Sequence, residues 1–332
     1  MKKIALLFIT LLTVFSAKAQ KDKVKELGLM LENYEYPFKV DYISLDIQGQ
    51  ELKMAYMDVQ PEKPNGKTIM LLHGKNFNGA YWEQTAKDLS KEGYRIIIPD
   101  QIGFGKSSKP TDIQYSFQML AENTKAVLDK IGVKKLSVLG HSMGGMLATR
   151  FALMYPEMTE KLILANPIGL EDWKLWVPYQ SIEDWYQSEL KKDYESIKNY
   201  QLKFYYDNKW KPEYNEWVNL LAGWTLNDQY PIIAKNAALT YDMIFTQPVV
   251  YEFSELKMPT LLIIGQRDRT ALGKNKAPKK FQDDMGNYPK LGKETKQKIK
   301  DATLVELDDV GHLPHIEVYD RFIKPLKEFL EK

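Results

Sequence analysis

The chain of 332 residues contains no cysteine, and this absence removes a whole set of sites and stabilising links. Without thiols it can form no disulfide, no catalytic cysteine, no iron–sulfur cluster and no zinc site built on thiolates. Only four histidines are present, so a histidine-rich metal site is not expected either. The sequence predicts no bound metal and a fold stabilised by its apolar core.

The sequence also has no large excess of positive or negative charge. Lys and Arg number 46 against 44 Asp and Glu, which gives no electrostatic basis for binding nucleic acid. The Gly-Lys-Ser at residues 105–107 lacks the earlier glycine of a phosphate-binding loop, because Asp100 stands there. The Gly-Phe-Gly at 103–105 lacks the third glycine of a dinucleotide fingerprint, because Ser108 stands there. We expect no cofactor.

A single long apolar run stands at the N-terminus. Residues 4–15 are almost wholly apolar, follow Lys2 and Lys3, and precede Ala-Lys-Ala at 17–19. This pattern is typical of a secretory signal peptide over residues 1–19, cleaved before Gln20. A retained anchor or a buried helix is the alternative, but the run is shorter than the ~20 residues that span a bilayer. We expect an exported protein, periplasmic or secreted, with no stable membrane insertion after processing.

Short apolar runs and helical patterns alternate along most of the chain. Residues 40–47 and 52–59 have the pattern of a hairpin. Further strands are predicted at 68–72, 95–98, 136–139, 162–165, 261–264 and 303–307. Helices are predicted at 80–92, 117–131 and 145–155. The alternation predicts an α/β fold with a mostly parallel sheet and helices on both faces.

The alternation stops between residues 170 and 248. This stretch is polar and aromatic with helical spacing, and it holds six of the seven tryptophans. Because the strand pattern resumes after it, we interpret 170–248 as a helical cap inserted into a core formed by 20–169 and 249–332. A separate helical domain is the alternative. Residues 274–300, rich in Lys, Gly and Pro, are expected to form a long surface excursion.

A G-x-S-x-G pattern at residues 140–144 points to a nucleophile. A predicted strand precedes it directly and a predicted helix follows, which is the setting of a nucleophile elbow with Ser142 at its tip. Side chains at Gly140 or Gly144 would crowd the turn. A serine hydroxyl needs a base, and His312 follows the strand predicted at 303–307. His315, three residues further on, is the alternative base.

The base needs an acid that orients its ring and stabilises its charged form. Asp268 follows the predicted strand at 261–264 and is the candidate for this role. Asp172, after an earlier strand, is the alternative. His73 and His141 are expected to hold loop backbone instead, since each lies inside a motif that shapes the chain.

These motifs together resemble those of a serine-nucleophile α/β-hydrolase with a helical cap. His73-Gly74 resembles the family's oxyanion loop, and residues 100–107 resemble its D-x-x-G-x-G-x-S turn. Gly311-His312 resembles its histidine loop, and the order serine, aspartate, histidine is the family's own. The resemblance implies an oxyanion hole formed by the backbone N–H groups of Met143 and Lys75. The N–H of Asn76 is the alternative to that of Lys75. A lysine departs from the commoner residues of that loop and could attract an anionic group, or lie in solvent.

The resemblance implies hydrolysis of a carboxylic ester or related carbonyl compound through an acyl-enzyme. Cleavage of a C–C bond, haloperoxidase-like chemistry, or a slow or non-catalytic ligand sensor are the alternatives. Ser142 argues against epoxide hydrolases and haloalkane dehalogenases, which need an aspartate at that position. The aromatic cap favours a small hydrophobic or aromatic acyl substrate, and Trp176 and Trp224 are chosen as rings that contact it.

Overall fold

The computed structural model describes residues 24–332, so the predicted signal peptide and its cleavage site lie outside the described residues. The described chain forms an eight-stranded sheet in the order β1-β2-β4-β3-β5-β6-β7-β8. Strand β2 pairs antiparallel with β1 and β4, and every other pairing is parallel. The strands are β1 (Val40–Ile47), β2 (Gln50–Val59), β3 (Thr68–Leu72), β4 (Arg95–Pro99), β5 (Leu136–His141), β6 (Thr159–Ala165), β7 (Thr260–Gly265) and β8 (Ala302–Leu307).

Two apolar layers enclose this sheet. Ile69 and Leu71 of β3 pack into one layer, and Met70 and Leu72 into the other, because successive side chains of a strand point to opposite faces. All four are fully buried, which explains why the strand has a continuous apolar run. The α/β fold with a mostly parallel sheet, predicted from such runs, is confirmed.

Helices cover both faces. The first layer packs against α1 (Glu83–Lys91) and α11 (Tyr319–Glu331), and the second against α2 (Phe117–Lys130), α3 (Met143–Met154) and α9 (Tyr288–Lys298). The helix predicted at 80–92 is a 3₁₀ turn over Gly79–Trp82 that leads into α1. Two short helices, α8 (Lys279–Gln282) and α10 (Pro314–Glu317), lie in the segments that follow β7 and β8.

Four helices lie between β6 and β7, inside the stretch predicted as a cap. They are α4 (Ile182–Glu189), α5 (Tyr194–Phe204), α6 (Asn215–Trp224) and α7 (Tyr230–Thr246). Helix α4 packs against α7, and α5 packs against α6. Helix α4 begins with a capping box in which Ser181 and Asp184 each satisfy the other's backbone N–H.

The surface excursion expected at residues 274–300 is only partly correct. Within it α9 packs on β7 and β8, and it buries Tyr288 and Leu291 against the sheet. Apolar residues spaced three apart on a lysine-rich helix were the missed signal. Lys293, Lys296 and Lys298 are exposed on the opposite, solvated face of the helix. Among the described residues, none of the helices has the length and apolar composition needed to cross a bilayer.

Candidate active site

Ser142 occupies a tight turn between β5 and α3. Its backbone has φ 56° and ψ −122°, a conformation that costs a non-glycine residue energy. A Cβ on Gly140 would lie 2.0 Å from the carbonyl oxygen of Gly144, and a Cβ on Gly144 would lie 2.3 Å from that of Leu72. The expectation that both flanking positions exclude a side chain is confirmed, and the turn holds Ser142 at the carboxyl edge of the sheet.

Ser142, His312 and Asp268 form one continuous hydrogen-bonded chain. The Oγ atom of Ser142 lies 2.9 Å from Nε2 of His312. Nδ1 of the same ring lies 2.7 Å from Oδ2 of Asp268. Because a carboxylate only accepts, Nδ1 carries the proton and Nε2 is free to accept the serine hydroxyl. The three side chains, predicted from separate strand-end loops, are brought together and buried.

Asp268 is held as a carboxylate by its neighbours. Burial by itself raises the pKa of this group, but the charge and hydrogen bond of His312 outweigh it, together with hydrogen bonds from Thr270 and Asn166. The net pKa is below the ordinary value. Thr270 donates its N–H to Oδ1 at 2.8 Å, and Asn166 donates its side-chain amide to Oδ2 at 2.9 Å. The carboxylate is therefore ionised and fixed in position at neutral pH.

The alternative base and acid lie elsewhere. His315 stacks on Trp82 with ring centroids 4.5 Å apart, and neither of its ring nitrogens has a hydrogen-bond partner among the described residues. Asp172 accepts hydrogen bonds from the backbone of Lys174 and from the hydroxyl of Tyr251. Neither residue is bonded to Ser142 or His312 in the described structure, so the geometry favours His312 and Asp268.

His73 and His141 hold loop backbone, as expected. Nε2 of His73 accepts the N–H of Gln101 at 3.1 Å, and Nδ1 donates to the carbonyl of Gly74 at 2.9 Å. Nε2 of His141 donates to the carbonyl of His312 at 2.7 Å. Both rings are fully buried, and burial is the main cause that lowers the pKa of each. Both rings are therefore neutral at neutral pH, and each connects loops through hydrogen bonds to their backbone.

The loop after β3 lies directly against Ser142. A Cβ on Gly74 would be 3.1 Å from Cβ of Ser142, so a glycine is what lets the loop approach this closely. Within the described residues, neither the backbone N–H of Lys75 nor that of Met143 donates a hydrogen bond. Both are thus available as donors beside the serine, Met143 from the first turn of α3.

Two adjoining cavities, which share six lining residues, lie between the sheet edge and helices α4 to α7. The outer cavity, about 570 Å³, is lined by Ser142 and His312. The inner cavity, about 350 Å³, lies among the cap helices. Lys75 and Tyr241 line both, as do Asn76, Trp185, Tyr200 and Asn275.

The two tryptophans chosen from the sequence have different positions. Trp224 lines the inner cavity. Trp176 lines neither cavity, and its ring instead packs near Phe281, with centroids 6.3 Å apart. The choice of Trp176 as a substrate contact is not supported by its position, because the chain turns it away from the cap cavities and onto the core.

Three residues near the site had no place in the sequence interpretation. Asn166 bonds Asp268 and also accepts the N–H of Gly265 at 3.0 Å. The ring of Tyr205 stacks on His312 at 5.2 Å. The hydroxyl of Tyr81 accepts the N–H of Gly74. Asn166 directly follows β6 at the same sheet edge as the triad loops, a signal that was available; the two tyrosines offer none in the sequence.

A family model described as alpha/beta hydrolase fold matches residues 67–318. The chain belongs to the α/β-hydrolase family. A solved structure of a probable hydrolytic enzyme from Pseudomonas aeruginosa is 52% identical, with a TM-score of 0.92, over 93% of this chain and 99% of that one. The similarity to this probable hydrolytic enzyme therefore extends over nearly the whole chain.

Curated relatives carry more specific names. Lipase 1 of Psychrobacter immobilis is 27% identical over 86% of this chain and 84% of its own. A 2-hydroxy-6-oxononadienedioate/2-hydroxy-6-oxononatrienedioate hydrolase of Comamonas testosteroni is 37% identical over 32% of this chain and 38% of its own. The chain thus matches only about two fifths of the latter relative's length. The α/β-hydrolase described here is similar both to an enzyme named as a lipase and to an enzyme named as a hydrolase of 2-hydroxy-6-oxo acids.

Proposed function

We propose that this α/β-hydrolase is a serine hydrolase that cleaves a carboxylic ester or related carbonyl compound through an acyl-enzyme. The observation that carries the proposal is the hydrogen-bonded chain from Ser142 through His312 to Asp268. Its geometry is that of a nucleophile, a general base and an orienting acid.

In the first half of the reaction, the Oγ atom of Ser142 attacks the carbonyl carbon as its proton passes to Nε2 of His312. The carbonyl oxygen takes the electron pair and becomes an oxyanion, which the N–H groups of Lys75 and Met143 stabilise. When the intermediate collapses, His312 returns the proton to the leaving alcohol. Asp268 stabilises the imidazolium throughout and is not itself protonated.

In the second half, His312 removes a proton from water, and the resulting hydroxyl attacks the acyl group on Ser142. Collapse of this second intermediate releases the carboxylic acid, and the proton held by His312 returns to the serine oxygen. Every proton is thus returned and the enzyme ends in its starting state.

The cavities support a substrate with hydrophobic or aromatic character. Trp185 and Tyr241 line both cavities, and their rings stack on each other with centroids 4.7 Å apart, so a chain or ring that leaves the serine in this direction would lie against an aromatic wall. Movement of the cap or of a loop would admit such a substrate.

Labelling with a fluorophosphonate probe tests the proposal. Covalent labelling of one serine, lost in Ser142→Ala, is expected, together with hydrolysis of nitrophenyl esters in an acyl-chain-length series. Ser188→Ala is a matched control, because Ser188 also lines a cavity but has no histidine partner among the described residues. Absence of labelling in a folded wild-type protein, or labelling that survives Ser142→Ala, would contradict the proposal.

Hydrolysis of a C–C bond is the second candidate, favoured by the names of several relatives. A 2-hydroxy-6-oxo-6-phenylhexa-2,4-dienoate hydrolase of Comamonas testosteroni is 27% identical over 63% of this chain. A panel of vinylogous diketone acids beside the ester series distinguishes the two. A kcat/KM on a diketone at least about tenfold above that on every ester would assign the protein to C–C cleavage.

Export to the periplasm or medium is proposed from the sequence of residues 1–19 alone. Intact mass of protein recovered outside the cytoplasm is expected to correspond to a chain that begins at Gln20 with no lipid. A mass that retains residues 1–19 would support the anchor instead.

A further inference from the structure

The outer cavity has an unbalanced charge although the whole chain is nearly balanced. Its lining contains the cationic side chains of Lys75, Lys203, Arg269 and Lys274 and no Asp or Glu. Among the described residues, none of these four lies within 4.0 Å of a carboxylate oxygen. A concave wall of one sign concentrates ligands of the other sign.

Two of these cations already have backbone partners. Nζ of Lys274 donates to the carbonyl of Met285 at 2.7 Å. The guanidinium of Arg269 donates to the carbonyls of Gln266 and Asp268. These two groups contribute positive charge to the cavity. Because several of their N–H donors already bind backbone carbonyls, they are not arranged to bind a ligand through two parallel hydrogen bonds.

Lys75 is different, because it lines both cavities. Nζ is 3.8 Å from the ring centroid of Tyr241, a cation–π contact with a ring that also lines both cavities. No hydrogen bond from this ammonium group to a described residue accompanies that contact. The group is therefore positioned and left with free donors.

The inner cavity has one cationic side chain without an ion-pair partner among the described residues. Its charged lining residues are Lys75, Lys192 and Glu189. Nζ of Lys192 lies 2.7 Å from Oε1 of Glu189, so this pair neutralises itself. What remains is Lys75, which matches one monoanionic group.

The charged form of Lys75 is unfavourable in this position, and a bound anion would stabilise it. Burial lowers its pKa to about 7, with Glu189 acting in the opposite direction and Lys192 in the same one. An unpaired charge in a desolvated position is unfavourable. A carboxylate bound at hydrogen-bond distance would stabilise the charged form and form a charge-assisted hydrogen bond.

We propose that the substrate of this hydrolase carries a carboxylate in addition to its scissile carbonyl, and that the ammonium group of Lys75 binds it at the junction of the two cavities. The inference rests on the proposed function and adds a substrate class to it. The substrate is then an amphipathic anion, whose apolar part lies against aromatic rings and whose charge lies on Lys75. The cationic outer cavity attracts it from solution.

Matched substrate pairs test this, one for each side of the ester. Monophenyl adipate is compared with the phenyl ester of adipic acid monoamide, and 4-carboxyphenyl butyrate with 4-carbamoylphenyl butyrate. In each pair a carboxylate is replaced by a neutral amide of nearly the same shape. We expect wild type to prefer the carboxylate in at least one pair by about tenfold in kcat/KM, because hydrogen bonds to charged groups are the stronger ones.

Variants at Lys75 then connect the preference to one side chain. Lys75→Met is expected to reduce the carboxylate-to-amide ratio about tenfold, and Lys75→Arg to retain most of it. Lys87→Met is the control, since Lys87 lies exposed on α1 away from both cavities, and it should leave the ratio unchanged. Equal kcat/KM within both pairs, or a ratio that Lys75→Met does not alter, would overturn the proposal while ester hydrolysis itself stands.

A binding measurement separates this proposal from the proposed function. Calorimetry with Ser142→Ala compares the monoanilide of adipic acid with its neutral diamide analogue, which needs no turnover. Tighter binding of the acid that is lost in the Ser142→Ala, Lys75→Met double variant supports the carboxylate site even if no ester is cleaved. Equal or undetectable binding of both ligands, together with equal turnover, would contradict it.

Discussion

The hydroxyl of Tyr81 lies 3.1 Å from Nδ1 of His141 and donates to it. The direction follows from the other ring nitrogen, since Nε2 must carry the proton that it gives to the carbonyl of His312. The same hydroxyl accepts the N–H of Gly74 at 2.9 Å. One buried chain of hydrogen bonds therefore joins the loop after β3, the nucleophile elbow and the histidine loop.

Tyr81→Phe should weaken this connection without changing any reacting group. It leaves the Gly74 N–H and a His141 nitrogen buried without partners. We expect this to lower the free energy of unfolding by about 1–3 kcal/mol. We expect kcat to fall about tenfold with KM nearly unchanged, because the oxyanion donors and the base lose their alignment. Urea denaturation and steady-state kinetics measure the two effects.

Tyr179→Phe is the control for that change. Tyr179 is exposed and its hydroxyl bonds Asp242 on the surface of the cap, so stability and kcat should both stay near wild type. A Tyr81→Phe protein that loses stability but keeps its kcat would show that the chain of bonds only supports the fold.

Ser142→Ala and His312→Ala should each remove most of the activity, and the double variant should be little worse than either. The reason is that the two side chains act as one unit through their 2.9 Å hydrogen bond. Single-turnover and steady-state rates on one ester measure this. Residual activity within about tenfold of wild type in either single variant, or losses that simply multiply, would remove the pair from its proposed role.

Stability should depend on pH through His315. Burial, followed by the charge of His312, lowers its pKa from 6.5 to about 3. Between these values the unfolded chain binds a proton that the folded protein does not, so the free energy of unfolding falls as pH falls from 6.5 toward 3. His315→Phe should remove that contribution, about 1.4 kcal/mol per pH unit between pH 6 and pH 4. Denaturant midpoints measured at several pH values test this.

Phe322→Leu provides the matching control. Its ring centroid lies 5.8 Å from that of His315 and it carries no titratable group. Its loss of stability should be equal at every pH. If His315→Phe gives a curve parallel to wild type, the acid sensitivity belongs to other buried groups, such as His141 or His73.

The two cap-region tryptophans should respond differently to truncation. Trp224→Leu enlarges the inner cavity that its ring lines and should shift kcat/KM toward longer acyl chains. Trp176→Leu should leave the preference unchanged, because that ring lies near Phe281 and outside both cavities. Nitrophenyl esters from acetate to octanoate measure the shift. An equal effect of the two substitutions would contradict the assignment of the cavities.

Residues whose environment is set locally could be predicted well. Thr68–Leu72 was predicted at its observed bounds because a strand buried on both faces must be apolar throughout. The position of Ser142 in a tight turn could be predicted because the turn needs glycine on both sides, and those glycines stand close to it in the sequence. The positions of Asp268 and His312 could be predicted because each follows a strand that ends at the same edge of the sheet.

Residues whose role depends on distant neighbours could not be predicted in the same way. Tyr81 matters because the fold brings it to His141, 60 positions further along the chain. Trp176 and Trp224 have the same side chain in the same aromatic stretch, and only tertiary packing decides that one lines a cavity and the other does not. The burial of α9 was missed because its lysines dominate its composition.

The proposed triad is presented by the loops after β5, β7 and β8, and β8 is the edge strand of the sheet, which has a consequence for when the protein acquires its chemistry. Ser142 and His312 are 170 positions apart, and the hydrogen bond between them exists only once β8 is paired with β7. Contacts so distant in sequence form late, because the loop between them must first be closed. A partly folded chain with a complete elbow is therefore inert, and recovery of turnover during refolding reports the docking of the final strand.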